Sequence, residues 1–394
     1  MKRYIWLIGF LLLLWIPLST AQSNSMLAFL NGSGQLVVSS GDGATRWIVT
    51  NPGQVVDDTL GFSWTADGNL TFALKGVGLF AGEPRTQSIA PIESDDLESL
   101  SYLRGLINRS NTEQPQGTSA DGEYAFIADS NQYYIVTLAN NAATQLPISG
   151  NGNAQSSGLW ADSTPLVAYW GLDSNSSTAL SVLHAPTQNM IVANSGSSIP
   201  MPPIAWLPNS TGLVYRTATG DVHIADVGCV VNGCTDNPLT SGFAVAPSSA
   251  NHIQVTDSHI YYVDGEQLIG VDLSCVQSNN CLASRFVIGE RVVPLSMIHA
   301  SNDRLVYTSY TKDANNPSDR VIQLVDLTCT PDCKPQPILN GGMAGLLSPS
   351  ADYLMVDIVG EGLNILQLSK GSLVYLTDTM GGQLGAGLNT ARWQ

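Results

Sequence analysis

The stretch GFSWTADGNLTFAL, residues 61–74, runs apolar up to Trp64, breaks at Asp67-Gly68 and resumes as the apolar run Leu70–Leu74. Asp-Gly is a tight-turn dipeptide because glycine adopts positive φ without a steric penalty. The stretch therefore reads as two antiparallel strands joined by a short turn. Related copies follow. GTSADGEYAFIADSNQYYIVTL (117–138) has its turn at Asp121-Gly122, and SGLWADSTPLVAYW (157–170) places Trp160 where Trp64 stands. IAWLPNSTGLVYRTATGDVHIADV (204–227) does the same with Trp206, and weaker copies start at Phe243, Leu295 and Gly345.

Starts at Gly61, Gly117, Gly158, Ile204, Phe243, Leu295 and Gly345 lie roughly 40–55 residues apart, the length of one four-stranded β-propeller blade. Strands apolar on both faces suit blades that stack face to face. The repeated tryptophans then pack between blades. The chain finishes GLNTARWQ, so Trp393 stands at the end of a first strand with no repeat after it. The segment from Met26 supplies further strands with no first strand before them. Joined, the two ends complete one blade and remove the open sheet edges. The expectation is an all-β propeller of eight blades, each of four antiparallel strands, closed by the C-terminal strand. Seven blades is the alternative, because the repeat at Phe243 is poorly marked.

The SWTADG, SADG, LWADS, AWLPNS and LSPSAD segments resemble degenerate W-S-P-D-G turns of the WD40-like repeats in TolB-type propellers. Similar repeats build the propellers of prolyl oligopeptidase-type peptidases. The resemblance implies the fold and leaves the function open, because the motif is a structural turn.

Charged residues make up 12% of the 394-residue chain and net charge is −16, with 16 Lys and Arg together. That balance argues against nucleic acid, whose phosphates need clustered cations. Lys2 and Arg3, the apolar run Tyr4–Leu18 and the small residues Ser19-Thr20-Ala21 form a signal-peptide pattern over residues 1–21. Cleavage after Ala21 would leave residues 22–394 as one propeller domain, secreted or periplasmic; an uncleaved anchor is the alternative. No later run is long and apolar enough to span a membrane. The expected species is a monomer.

The cysteines fall in three close pairs, Cys229/Cys234, Cys275/Cys281 and Cys329/Cys333, after the similar strand ends IADVGC, GVDLSC and LVDLTC. In an exported chain these read as three local disulfides, each contributing about 2 kcal/mol. A thiolate metal site would need separate repeats to converge. Residues 94–107, SDDLESLSYLRGLI, carry a cap, early acids and apolar residues at near-helical spacing, so a helix inserted between blades is expected. A divergent outer strand with a loop is the alternative.

Catalytic motifs are absent from the sequence. No G-x-S-x-G run marks a nucleophile elbow, and His184, His223, His252, His259 and His299 show no metal-ligand spacing. In a four-stranded meander, the first-to-second and third-to-fourth turns share one face of the ring, and the second-to-third turns and interblade links share the other. The Asp-Gly turns and cysteine pairs fall on the first face. The 83–116 interruption and the long tips LDSNSST (172–178) and TKDANNPSDR (311–320) fall on the second, where function concentrates on loops. Asp173, Asn175, Asp313, Asn315 and Asp319 on those tips are oxygen donors of the kind calcium takes, and also ordinary turn residues. The reading is a non-catalytic module that binds a protein, peptide or glycan. An extracellular hydrolase or lyase with a central-channel site is the alternative.

Overall fold

The computed structural model of the chain describes residues 25–57, 61–65, 67–93, 117–129, 132–150, 158–197, 199–208, 211–278, 280–294, 296–301, 303–329, 331–378, 388 and 391–394. The segment 1–21, the expected helix at 94–107 and the repeat start Leu295 lie outside the described residues.

Eight antiparallel sheets follow one another around a ring. The first blade contains β1 (Met26–Leu30), β2 (Leu36–Ser40) and β3 (Arg46–Ile48). The second is β4 (Phe62–Trp64), β5 (Leu70–Leu74), β6 (Gly78–Glu83) and β7 (Ser88–Pro91). The third is β8 (Tyr124–Asp129), β9 (Gln132–Thr137) and β10 (Ala142–Gln145), its innermost strand reduced to a bridge between Thr118 and Ala125. The fourth is β11 (Leu159–Trp160), β12 (Leu166–Leu172), β13 (Thr178–His184) and β14 (Met190–Asn194). The fifth is β15 (Pro203–Trp206), β16 (Gly212–Arg216), β17 (Val222–Asp226) and β18 (Phe243–Ala246). The sixth is β19 (Asn251–Val255), β20 (His259–Asp264), β21 (Gln267–Asp272) and β22 (Arg285–Glu290). The seventh is β23 (His299–Ala300), β24 (Arg304–Tyr310), β25 (Arg320–Asp326) and β26 (Gln336–Asn340). The eighth is β27 (Gly342–Leu347), β28 (Tyr353–Ile358), β29 (Gly362–Gln367) and β30 (Ser372–Thr377).

The ring closes at the termini. β31 (Arg392–Trp393) pairs with β1 as the innermost strand of the first blade, Leu27 opposite Trp393 and Ala28 opposite Arg392. The Gln394 amide extends the ladder to the Met26 carbonyl at 2.8 Å.

Blades adhere through apolar sheet faces. Leu166 and Val182 of the fourth blade meet Trp206, Leu213 and Tyr215 of the fifth, all buried. Leu27 and Phe29 of the first meet Met355 and Ile365 of the eighth. The first-strand tryptophans add a directional contact. Trp64 Nε1 donates to the Arg392 carbonyl (3.0 Å), Trp206 Nε1 to Leu159 (2.9 Å) and Trp393 Nε1 to Leu346 (3.0 Å). Each indole thus bonds the innermost strand of the preceding blade. Trp160 has no such acceptor among the described residues, and the blade before it is the one whose inner strand is a single bridge.

In the second, third, sixth, seventh and eighth blades the turn after the first strand is held by a hydroxyl at its start. Ser119 Oγ accepts from the Tyr124 amide (3.0 Å) and donates to Asp121, and Ser348 Oγ accepts from the Tyr353 amide (3.1 Å). Thr65 repeats the arrangement, accepting from the Asn69 amide at 3.1 Å and donating to Asp67. That hydrogen bond is the main reason the Asp67 carboxyl is held below the usual carboxylate range. Gly68 (φ 80°) and Gly122 (φ 71°) fill the left-handed position, which Ala351 (φ 55°) occupies in the eighth blade.

Two expectations are corrected. Phe243 does not begin a blade: β18 is the outer strand of the fifth, and the sixth begins at Asn251. The chain leaves β17 for an excursion through Cys229–Cys234 and two short 3₁₀ turns before returning as β18, which delays the outer strand. The apolar FAVA run followed by Pro-Ser-Ser then imitates a first strand and its turn. Second, Cys229–Cys234 and Cys275–Cys281 are disulfides, but Cys329 and Cys333 are both thiols. Cys329 Sγ donates to the Asp326 carbonyl at 2.8 Å and contacts Cys333, which raises its pKa.

Candidate binding face

Strand order settles which loops share a face. Both disulfides, the Cys329/Cys333 pair and the Asp-Gly turns stand at third-to-fourth or first-to-second turns. The opposite face carries the second-to-third tips and the interblade links. Three links pair with the end of the next blade's second or corresponding strand: Val56 with Leu74, Ser149 with Leu172 and Val292 with Ser309. The floor of this face is therefore backbone fixed by hydrogen bonds, and the tips project from it.

The fourth-blade tip is built by its own carboxylate. Asp173 Oδ1 accepts from the amides of Asn175 (2.8 Å) and Ser177 (2.9 Å), while the Ser176 amide donates to the Asp173 carbonyl (3.0 Å). Ser176 sits at φ 61°. Short polar side chains that satisfy turn amides tolerate such backbone, which is why Asp, Asn and Ser recur here.

The seventh-blade tip is larger and clamped to its neighbour. Asp313 Oδ1 accepts from the Asn315 amide (2.9 Å), and Asn316 Nδ2 donates to Asp319 Oδ2 (2.9 Å). The Thr311 amide donates to the Asp319 carbonyl (2.9 Å), closing the base. Arg291, on the link from the sixth blade, donates through Nη1 to the Thr311 carbonyl (2.8 Å). Tyr310 Oη donates to Glu266 Oε2 (2.6 Å) in the β20–β21 turn, and this contact with the carboxylate raises the phenol's pKa.

The five residues considered for calcium thus divide into two groups, Asp173 and Asn175 on the fourth blade, and Asp313, Asn315 and Asp319 on the seventh, with two blades between them. One oxygen of Asp173 and one of Asp313 is engaged by turn amides. Among the described residues, no three His, Cys, Asp or Glu side chains gather as a metal site.

The histidines are integrated into the blades. His223 Nδ1 lies 3.0 Å from the Gly242 carbonyl and His184 Nδ1 2.8 Å from Thr187 Oγ1. His259 stacks on Tyr261, meets Phe286 edge-on and bonds Ser258 at 2.7 Å. Burial lowers the pKa of His184, His252 and His259. His252 and His299 stand on β19 and β23, innermost strands that touch.

Eight blades in a closed ring define the class: the chain is an eight-bladed β-propeller. No protein-family model and no curated protein matches the sequence. Solved structures similar to it include dipeptidyl peptidase 4 of Porphyromonas gingivalis, with TM-score 0.54 and 9% identity over 90% of this chain and 58% of that one. Dihydro-heme d1 dehydrogenase matches with TM-score 0.54 and 12% identity over 93% of this chain and 76% of the enzyme. A prolyl endopeptidase matches with TM-score 0.50 and 10% identity over 86% of this chain and 49% of that one. The chain therefore spans about half the length of the two peptidases, 58% of one and 49% of the other, and at these identities the likeness is one of fold.

Proposed function

We propose that this protein is an exported binding module that holds a protein, peptide or glycan against its long-loop face, in the cell envelope or outside the cell. The observation carrying this reading is the asymmetry of the ring. One face carries the tight first-to-second turns and the third-to-fourth excursions stapled by two disulfides; the other bears the 311–320 tip, clamped to its neighbour, and the 172–178 tip, both held by their own side chains. Loops set on a rigid scaffold are the usual place for recognition. Export is supported by the basic, apolar and small-residue order of residues 1–21 and by the disulfides, which persist in oxidising compartments. The turn sequences support a place among TolB-type propellers.

The test is capture from an envelope extract by immobilised residues 22–394. Deleting 94–107, or combining Asp313→Ala with Asp319→Ala, should abolish retention of the captured partner while stability changes by no more than about 1 kcal/mol. Retention unchanged in the deletion variant would refute the face assignment. The hydrolase or lyase reading is favoured by one feature, the placing of His252 and His299 on touching inner strands. Turnover of an offered polysaccharide or peptide, lost in His252→Asn, would select it.

A further inference from the structure

Away from both faces, on the perimeter, the sixth and seventh blades diverge and leave a groove of about 620 Å³. Its walls are Val287 and Ile288 of β22 and the prolines Pro335 and Pro337 beside and within β26; its floor is Tyr307, Ser309 and Gln323. It continues the apolar seam in which Ile288, Val292, Leu305 and Tyr307 pack between these blades.

Tyr307 is the unusual member of the floor. Tyr215 and Tyr169, on the second strands of the fifth and fourth blades, find protein acceptors: Tyr215 Oη donates to the Leu239 carbonyl (2.7 Å), and Tyr169 Oη to Met190 Sδ (3.3 Å). Tyr307 is 2% exposed, yet its hydroxyl has no protein partner among the described residues and lines the groove. Gly289 makes room for it, since a Cβ there would lie 2.2 Å from that hydroxyl. Beside it, Gln323 Nε2 donates to Ser309 Oγ (2.9 Å), which in turn donates to the Val321 carbonyl (3.3 Å). This chain fixes the amide and leaves Gln323 Oε1 as an acceptor. The hydroxyl opens onto the groove, so a ligand that displaces water there must supply its acceptor.

We infer that this groove is a second binding site, independent of the long-loop face, and that its occupant is an extended peptide with an apolar side chain next to a Lys or Arg. One donor, Tyr307 Oη, and one acceptor, Gln323 Oε1, match the C=O and N–H of a peptide group. The half-exposed Val287 and the two prolines offer apolar wall for a side chain. Glu290 at the rim is exposed and makes no ion pair among the described residues, and the chain's net charge of −16 reinforces its preference for a cation. Pro337, which lacks an N–H, blunts β26 as a strand template, whereas β22 keeps a free outer edge.

The experiment uses two fluorescein-labelled hexapeptide pools, randomised except for central Leu-Arg or central Leu-Glu, titrated against residues 22–394 by anisotropy. The Leu-Arg pool should bind more tightly. Tyr307→Phe should weaken it about five- to tenfold with an unchanged thermal midpoint, the hydroxyl having no protein bond to lose. Glu290→Lys should reverse the preference between pools. Deleting 94–107 should leave this binding intact, which separates the groove from the long-loop reading. No binding by the Leu-Arg pool, equal binding of both pools, or indifference to Tyr307→Phe would overturn the inference. So would binding of cellohexaose in place of the peptides, which would make the groove a glycan site.

Discussion

Removing Arg392–Gln394 is expected to lower the unfolding free energy by about 3–5 kcal/mol, the scale of deleting a buried tryptophan from a packed core. Trp393 is 4% exposed and packs with Leu27, Leu346 and Met355 across the seam between the eighth and first blades. Its loss would leave the Leu346 carbonyl without the indole donor, and loss of Arg392 would deprive Trp64 Nε1 of its acceptor. β1 would also become an open edge where it now pairs with β31. Three residues thus hold one inner strand and two interblade hydrogen bonds. Urea denaturation measures the effect, and a loss below about 1 kcal/mol would mean that the ring does not depend on its closing strand.

The second large effect separates packing from hydrogen bonding in the repeated tryptophans. Trp206→Ala should cost about 3–5 kcal/mol through the cavity it leaves. Trp206→Phe should cost more than Trp160→Phe, by about 1–2 kcal/mol. Both indoles are buried, at 7% and 1% exposure, so the loss of ring volume is shared. The difference is the donor. Trp206 Nε1 serves the Leu159 carbonyl, and phenylalanine would orphan that acceptor; Trp160 Nε1 has no acceptor among the described residues. Equal costs, measured in the same urea series, would reduce the role of Trp206 to its bulk.

The sequence made the repeat legible because a blade is a local object. Trp64, Asp67 and Gly68 sit within a few residues of one another, and their spacing reports one hairpin. Closure was also readable, since a lone first strand ending in Trp393 demands a partner that the N-terminus supplies. What escaped depends on longer-range geometry. The blade boundary at Phe243 was displaced by the Cys229–Cys234 excursion, which adds length without altering the apolar pattern of FAVA. The bonding state of Cys329 and Cys333 was not encoded in a context shared with the two bonded pairs. The indole-to-carbonyl contacts join residues a whole blade apart, and only the burial of these tryptophans, not their hydrogen bonds, follows from composition. The hydroxyl that starts several of these turns has a visible signal in Thr65, Ser119 and Ser348, whose capping role the turn motif alone does not declare. The groove under Gly289 has no sequence signature, because it arises where two blades diverge.

The central claim is that the two ends of the chain complete a single sheet. The register that sets Leu27 opposite Trp393 also brings the Gln394 amide to the Met26 carbonyl. Directly opposed antiparallel residues have Cα atoms about 4.5–5.5 Å apart, within reach of a disulfide. In the double variant Met26→Cys, Gln394→Cys, mild oxidation followed by mass spectrometry of the unreduced digest should yield one peptide joining the N- and C-terminal segments. Recovery of the two terminal peptides unlinked, with both new thiols still free to alkylation, would contradict the closed ring.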